Sequence, residues 1–231
     1  MLGRRTWLVF LFLLLASNSK AASIYSMSGI WNHPDVEVCF AAKEKRRRHF
    51  ETHELPIDSW PGANRHAVQN WVQKDFTSET TGIHFTGWLS CSETPNAEIV
   101  VFFGAGDERD LAGHSMVGPQ LRADELSGYP RAHSYVWLHE QGINRGNVLH
   151  EFGHAAGLQH EHPRREAKKD ENCFDERVGY GTPAGNQILG PYDASSVMNY
   201  CFLHSCLGYS AGLSRQDTEL LRYLYSPTPH P

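Results

Sequence analysis

The chain has 231 residues, 40% of them apolar and 20% charged, which is ordinary globular usage and excludes a disordered, collagen-like or coiled-coil protein. A formal charge of −5 gives no global field that favours nucleic acid. Five cysteines are too few for a disulfide-dense mini-scaffold and odd in number, whereas fourteen histidines are many, so their clustering carries the reading.

Arg4 and Arg5 precede an entirely apolar run at 7–16, and small or polar residues follow through Ala22. A basic start, an apolar centre and a small-residue exit predict a secretory signal peptide; a membrane span needs about 20 apolar residues. Ser19-Lys20-Ala21 fits a cut after Ala21, so residues 1–21 are expected to be the signal and 22–231 a single domain. Losing Arg4, Arg5 and Lys20 takes the net charge from −5 to −8. Export permits disulfides.

Residues 36–40 alternate like a half-buried strand. The charged stretch 43–54 reads as a solvated loop. Pro61-Gly62 opens a helix in which Ala67, Val68, Trp71, Val72 and Phe76 recur at helical spacing, and Gly82 follows it. Residues 83–88 and 97–103 read as strands, the latter apolar enough to be central. The glycine-rich stretch 113–118 suits a short edge strand, and 134–138 is another strand. Asn144 is a candidate N-cap for a helix carrying Val148, Leu149, Phe152, Ala155 and Ala156, with Gly157 as its left-handed C-terminal cap. Residues 161–195 are polar and irregular. Ser214 and Asp217 have capping-box spacing before a last helix with Leu220, Leu221 and Leu224.

His150-Glu151-Phe152-Gly153-His154-Ala155-Ala156-Gly157-Leu158-Gln159-His160 is the strongest signal. Four residues are about one helical turn, so His150 and His154 share a face and can grip one zinc ion. Gly157 lets the chain turn sharply, so that His160 supplies a third nitrogen. Three histidines leave the fourth position open, as in a catalytic site. Glu151 lies off the ligand face but near the metal, where a carboxylate can take a proton from water and return it to a leaving amine. His139-Glu140 has no histidine four residues on and is not expected to be a site.

H-E-x-x-H-x-x-G-x-x-H is the metzincin zinc motif, and Ser196-Val197-Met198-Asn199-Tyr200 resembles the methionine turn of those families. Within the metzincins the sequence is most similar to the astacins. Glu161 and Arg164 follow His160 as in that family's H-E-x-x-R. Residues 82–85 and 97–102 look like its second and third strands, and Ser115-Met116-Val117-Gly118 like its S-x-V-G loop. The similarity spans roughly residues 30–226. Leu158 departs from the usual aromatic, Asn199 from the usual histidine, and the charged run after Arg164 does not match.

The resemblance implies an α/β (α+β), metzincin-like catalytic domain: a twisted mixed five-stranded sheet, two long helices and an irregular C-terminal subdomain ending in a helix. It places Met198 beneath the metal. It makes Tyr200 a resting zinc ligand that swings to stabilise the oxyanion. It pairs Glu161 with the mature N-terminal ammonium, carried here by Ala22. The function so implied is that of a secreted zinc endopeptidase, with one zinc ion per chain and a peptide or protein substrate held by strand addition near 114–118. No nucleic acid and no membrane insertion after signal cleavage are expected, and the chain is expected to be a monomer. The rival is a secreted, catalytically weak zinc-binding or inhibitory protein on the same fold; a zinc amidase acting on non-protein amides is a third reading. Cys39 and Cys91 each adjoin a predicted strand and are candidates to pair; Cys173 with Cys201 or Cys206 is another candidate pair. The connectivity stays open.

Overall fold

A computed structural model of the protein describes residues 23–41, 44–45, 54–55, 62–104, 113–121, 126, 128–139, 143–161, 164, 186–199 and 212–226. In chain order these form strands β1 (Ser23–Ser26), β2 (Asp35–Phe40), β3 (Glu44–Lys45) and β4 (Glu54–Leu55), helix α1 (Gly62–Asp75), strands β5 (His84–Ser90), β6 (Ile99–Gly104), β7 (Gly113–Ser115) and β8 (Ser134–His139), helix α2 (Arg145–Ala155), strand β9 (Asn186–Leu189) and helix α3 (Arg215–Tyr225).

The main sheet has five strands in the order β5-β2-β6-β8-β7. Four run parallel, and β7 pairs antiparallel with β8 at one edge. The mixed α/β fold is therefore the one expected. Strand β6 (IVVFFG) is apolar on both faces because both are covered: Ile99, Val101 and Phe103 join the main core, while Val100 joins a smaller cluster on the opposite face with Cys39, Cys91 and Ala132. The alternation along β2 divides in the same way, with Val36, Val38 and Phe40 on the helix side and Cys39 opposite, as the two-residue period of a strand requires. Cys39 and Cys91 form a disulfide across that second face.

Val68, Val72 and Phe76 from the α1 segment and Val148, Leu149 and Phe152 from α2 meet the helix side of the sheet. Phe85 lies between the two helices. Its ring is 5.2 Å from Phe76 and 5.1 Å from Phe152, both edge-on, the arrangement that aromatic quadrupoles favour. Phe152 is wholly buried, and truncating such a side chain costs about 3–5 kcal/mol. The histidine-bearing helix is thus bolted to the sheet through the same turn that carries its polar residues.

Two expectations need correction. Residues 161–195 are not irregular throughout, because β9 lies within them and pairs antiparallel with β1. Neither strand is legible locally: β9 is four residues long, half-exposed and without alternation, and each is stabilised by a pairing partner far away along the chain. Residues 43–54 are not only loop, since β3 lies within them and pairs antiparallel with β4 at their end. Among the described residues, no helix is long and apolar enough to cross a membrane.

Candidate metal centre

Helix α2 starts where Asn144 Oδ1 accepts the Asn147 N–H at 3.0 Å, the N-cap its sequence predicts. It ends at Ala155, and Gly157 follows with φ +94°. A side chain there would be strained, and its Cβ would also sit 2.5 Å from the Gly29 carbonyl oxygen. Glycine thus permits the reversal that brings His160 back over the helix.

The three histidines converge. His160 Nε2 lies 3.0 Å from His154 Nε2 and 3.2 Å from His150 Nε2. His150 Nδ1 is 2.7 Å from the Val197 carbonyl and His154 Nδ1 is 2.8 Å from the Leu158 carbonyl. A carbonyl oxygen only accepts, so on those two rings the proton belongs on Nδ1 and the Nε2 lone pair points into the cluster. Burial pushes the His150 imidazole down to about 4, which keeps it neutral. Lone pairs converging at this spacing repel one another unless a cation lies between them. Tetrahedral coordination at about 2.0–2.1 Å puts ligand nitrogens about 3.3 Å apart, close to what is observed. The donor set therefore fits zinc, with the Nδ1–H to carbonyl contacts that orient metal-ligating histidines. Among the described residues, this is the group of histidine, cysteine and carboxylate ligand atoms close enough to hold an ion.

Glu151, next along α2, is buried with 4% exposure. Its Oε2 accepts the Ser115 hydroxyl from β7 at 2.7 Å. Met198 is wholly buried against the helix between these residues: a Cβ on Gly153 would come within 2.5 Å of Met198 Sδ. Gly153 therefore allows the close approach of the turn 196–199 to α2.

That turn is held from three sides. The Met198 carbonyl accepts the Glu161 N–H at 3.0 Å. Asp217, in the first turn of α3, accepts the Ser196 hydroxyl at 2.7 Å and the Val197 N–H at 2.9 Å, while also capping its own helix at Ser214. Asn199 donates to the Asp193 carbonyl at 2.7 Å, a role that accounts for asparagine at this position.

Glu161 is fully buried and paired with Arg164 at 2.9 Å. Its Oε1 also accepts the Asp193 N–H at 3.1 Å, while Oε2 has no hydrogen-bond partner among the described residues. Burial pushes the carboxyl up to about 8 even with Arg164 beside it. Arg164 in turn donates to the carbonyls of Gly190 and Pro191, just beyond β9. Tyr200 and Cys173, Cys201 and Cys206 lie outside the described residues.

The structure thus brings together His150, His154, His160, Glu151, Gly157, Met198 and Glu161. Two further groups belong to the arrangement. Asp217 is legible in the sequence only as a capping residue; its reach to the turn depends on the packing of α3. Ser115 is legible in the sequence only as the first residue of the S-x-V-G resemblance; its contact with Glu151 depends on the packing of β7 against α2.

No family model and no curated protein matches the chain. Solved structures do. One is high choriolytic enzyme 1, a hatching enzyme zinc-protease from Oryzias latipes (medaka fish), 16% identical over 87% of this chain and 96% of that one, with a TM-score of 0.51. Another is myroilysin, 18% identical over 87% of this chain and 84% of that one, with a TM-score of 0.51. At that identity the likeness is one of architecture: the chain shares its fold with these two solved structures.

Proposed function

We propose that the protein is a secreted zinc-dependent endopeptidase, with residues 1–21 a signal peptide and 22–231 one catalytic domain. The observation that carries this reading is the convergence of three histidines, with His160 Nε2 3.0 Å from His154 Nε2 and 3.2 Å from His150 Nε2, and with the buried carboxylate of Glu151 next to His150 on the same helix. The solved zinc-protease of similar architecture supports it.

His150, His154 and His160 would hold the ion. A zinc ion so bound supplies Lewis acidity, polarising a carbonyl and lowering the pKa of water toward about 7. Glu151 takes the proton from the attacking water at its carboxylate and delivers it to the leaving amine nitrogen as the C–N bond breaks. Tyr200, two residues beyond Met198, donates its O–H to the developing oxyanion. The edge of β7 holds the peptide by strand addition.

Glu161 anchors the mature N-terminus. The β1–β9 ladder ends with Ser23 opposite Leu189, next to Gly190, whose carbonyl accepts from the guanidinium of Arg164 beside Glu161. An ammonium on Ala22 would give a charged donor to Glu161 Oε2, which has no hydrogen-bond partner among the described residues.

Peptide-library cleavage by the purified chain starting at Ala22, with and without a zinc chelator, tests the function. Chelator-sensitive internal cleavage is expected. Zinc binding without cleavage would favour the binding or inhibitory reading, and turnover confined to non-peptide amides the amidase reading.

A further inference from the structure

Ser115 touches the side chain on which the proposed chemistry depends. In β7, Gly113 and Ser115 share one face and His114 projects from the other. His114 is exposed and stacks on Trp137 of β8, ring centres 5.1 Å apart. The inner face looks onto α2. A Cβ on Gly113 would lie 3.5 Å from Glu151 Cγ, so the Glu151 chain runs across that glycine toward Ser115. There the Ser115 Oγ is 2.7 Å from Glu151 Oε2 and 2.9 Å from the Glu151 carbonyl oxygen. A hydroxyl has one proton and both neighbours are acceptors, so the shorter, charge-assisted contact to Oε2 takes it.

We propose that Ser115 is a positioning residue for Glu151: its hydroxyl pins one carboxylate oxygen and so fixes the plane and reach of the other. A glutamate side chain turns freely about three bonds unless it is tethered, and a proton carrier works only within about 2.6–3.2 Å of the proton it moves. Displacement of a reacting group by 1 Å can cost about 10²-fold in rate. The tether comes from the sheet edge, not from the helix that carries Glu151, so the base is located relative to β7 as well as to the histidines. This inference rests on the endopeptidase reading.

The test compares zinc-loaded wild type, Ser115→Ala, Ser115→Thr, Glu151→Gln and the Ser115→Ala/Glu151→Gln double variant. A fluorogenic peptide reports kcat and KM separately, and bound zinc and the thermal midpoint are measured for each. Ser115→Ala should bind zinc as wild type does and melt within a few degrees of it. Its kcat should fall by about 10- to 10²-fold with KM little changed, the mark of an interaction used in the transition state. Ser115→Thr keeps the hydroxyl and should recover most of the loss. Because Ser115 acts through Glu151, the double variant should be no slower than Glu151→Gln alone.

An active wild type matched by Ser115→Ala in kcat would overturn the positioning role and leave the endopeptidase reading intact. So would an equal fall in the Glu151→Gln background, or a loss that threonine does not restore. A zinc-loaded wild type that cleaves no peptide would overturn the endopeptidase reading, and this role with it.

Discussion

Asp217 and His150 are joined through a single residue. The Val197 N–H donates to Asp217 at 2.9 Å, and the Val197 carbonyl accepts from His150 Nδ1 at 2.7 Å. The carboxylate that caps α3 is therefore two hydrogen bonds from a candidate metal ligand. Burial pushes the Asp217 carboxyl up, against donors from Ser196, Ser214 and Val197 that pull it down.

Asp217→Ala should accordingly weaken zinc binding as well as stability. It strands two buried donors, the Ser196 hydroxyl and the Val197 N–H, each costing about 1–3 kcal/mol when unpaired, and loosens a contact of the kind worth about 10- to 100-fold in metal affinity. Competition with a chromogenic chelator and a thermal melt measure the two effects separately; unchanged affinity would show that the turn holds His150 without α3.

Tyr200→Phe should fold and bind zinc but turn over more slowly. Loss of one oxyanion donor costs about 10²–10³ in kcat, with KM affected less, because the hydroxyl acts mainly on the transition state. Steady-state kinetics on a defined peptide decide it, and an unchanged kcat would leave Tyr200 a structural residue.

Adding a few residues before Ala22 should lower both the thermal midpoint and the activity. If the Ala22 ammonium contributes about 2 kcal/mol to the buried Glu161 site, the shift is about 4–8 °C for a domain of this size. Melts and peptide cleavage compared between native and extended starts check this; indistinguishable proteins would mean that no N-terminal anchor exists.

The Cys39–Cys91 bridge spans 52 residues, and closing a loop of that length contributes about 4 kcal/mol on the chain-entropy model. A Cys39→Ala/Cys91→Ala variant should melt about 8–16 °C lower with zinc stoichiometry unchanged, because the bridge lies on the sheet face away from α2. Calorimetry with metal analysis reads both quantities.

The parts of the fold that are legible in sequence carry their signal locally. The α2 cap at Asn144, the reversal at Gly157, the capping box of Ser214 and Asp217 and the apolar run of β6 each follow from a few adjacent residues, and all are found where expected. The histidine cluster is legible for the same reason, since helical spacing and one glycine determine it. What stays hidden is long-range. The β1–β9 pair has no alternation of its own. Ser115 reaches Glu151 only because β7 is laid beside α2, and the grip of Asp217 on Val197 requires α3 to dock. The glycine at 153 looks like a weak point in a helix until Met198 is seen against it.

Glu151 is the centre of the account, and one comparison tests it most directly: peptide hydrolysis by Glu151→Ala and by wild type, each shown by metal analysis to carry one zinc ion. The ligands are His150, His154 and His160, so the variant should retain zinc. Its rate should fall by at least about 10²–10⁴-fold, the usual share of a positioned proton carrier. Near-wild-type cleavage by the zinc-loaded variant would contradict the mechanism.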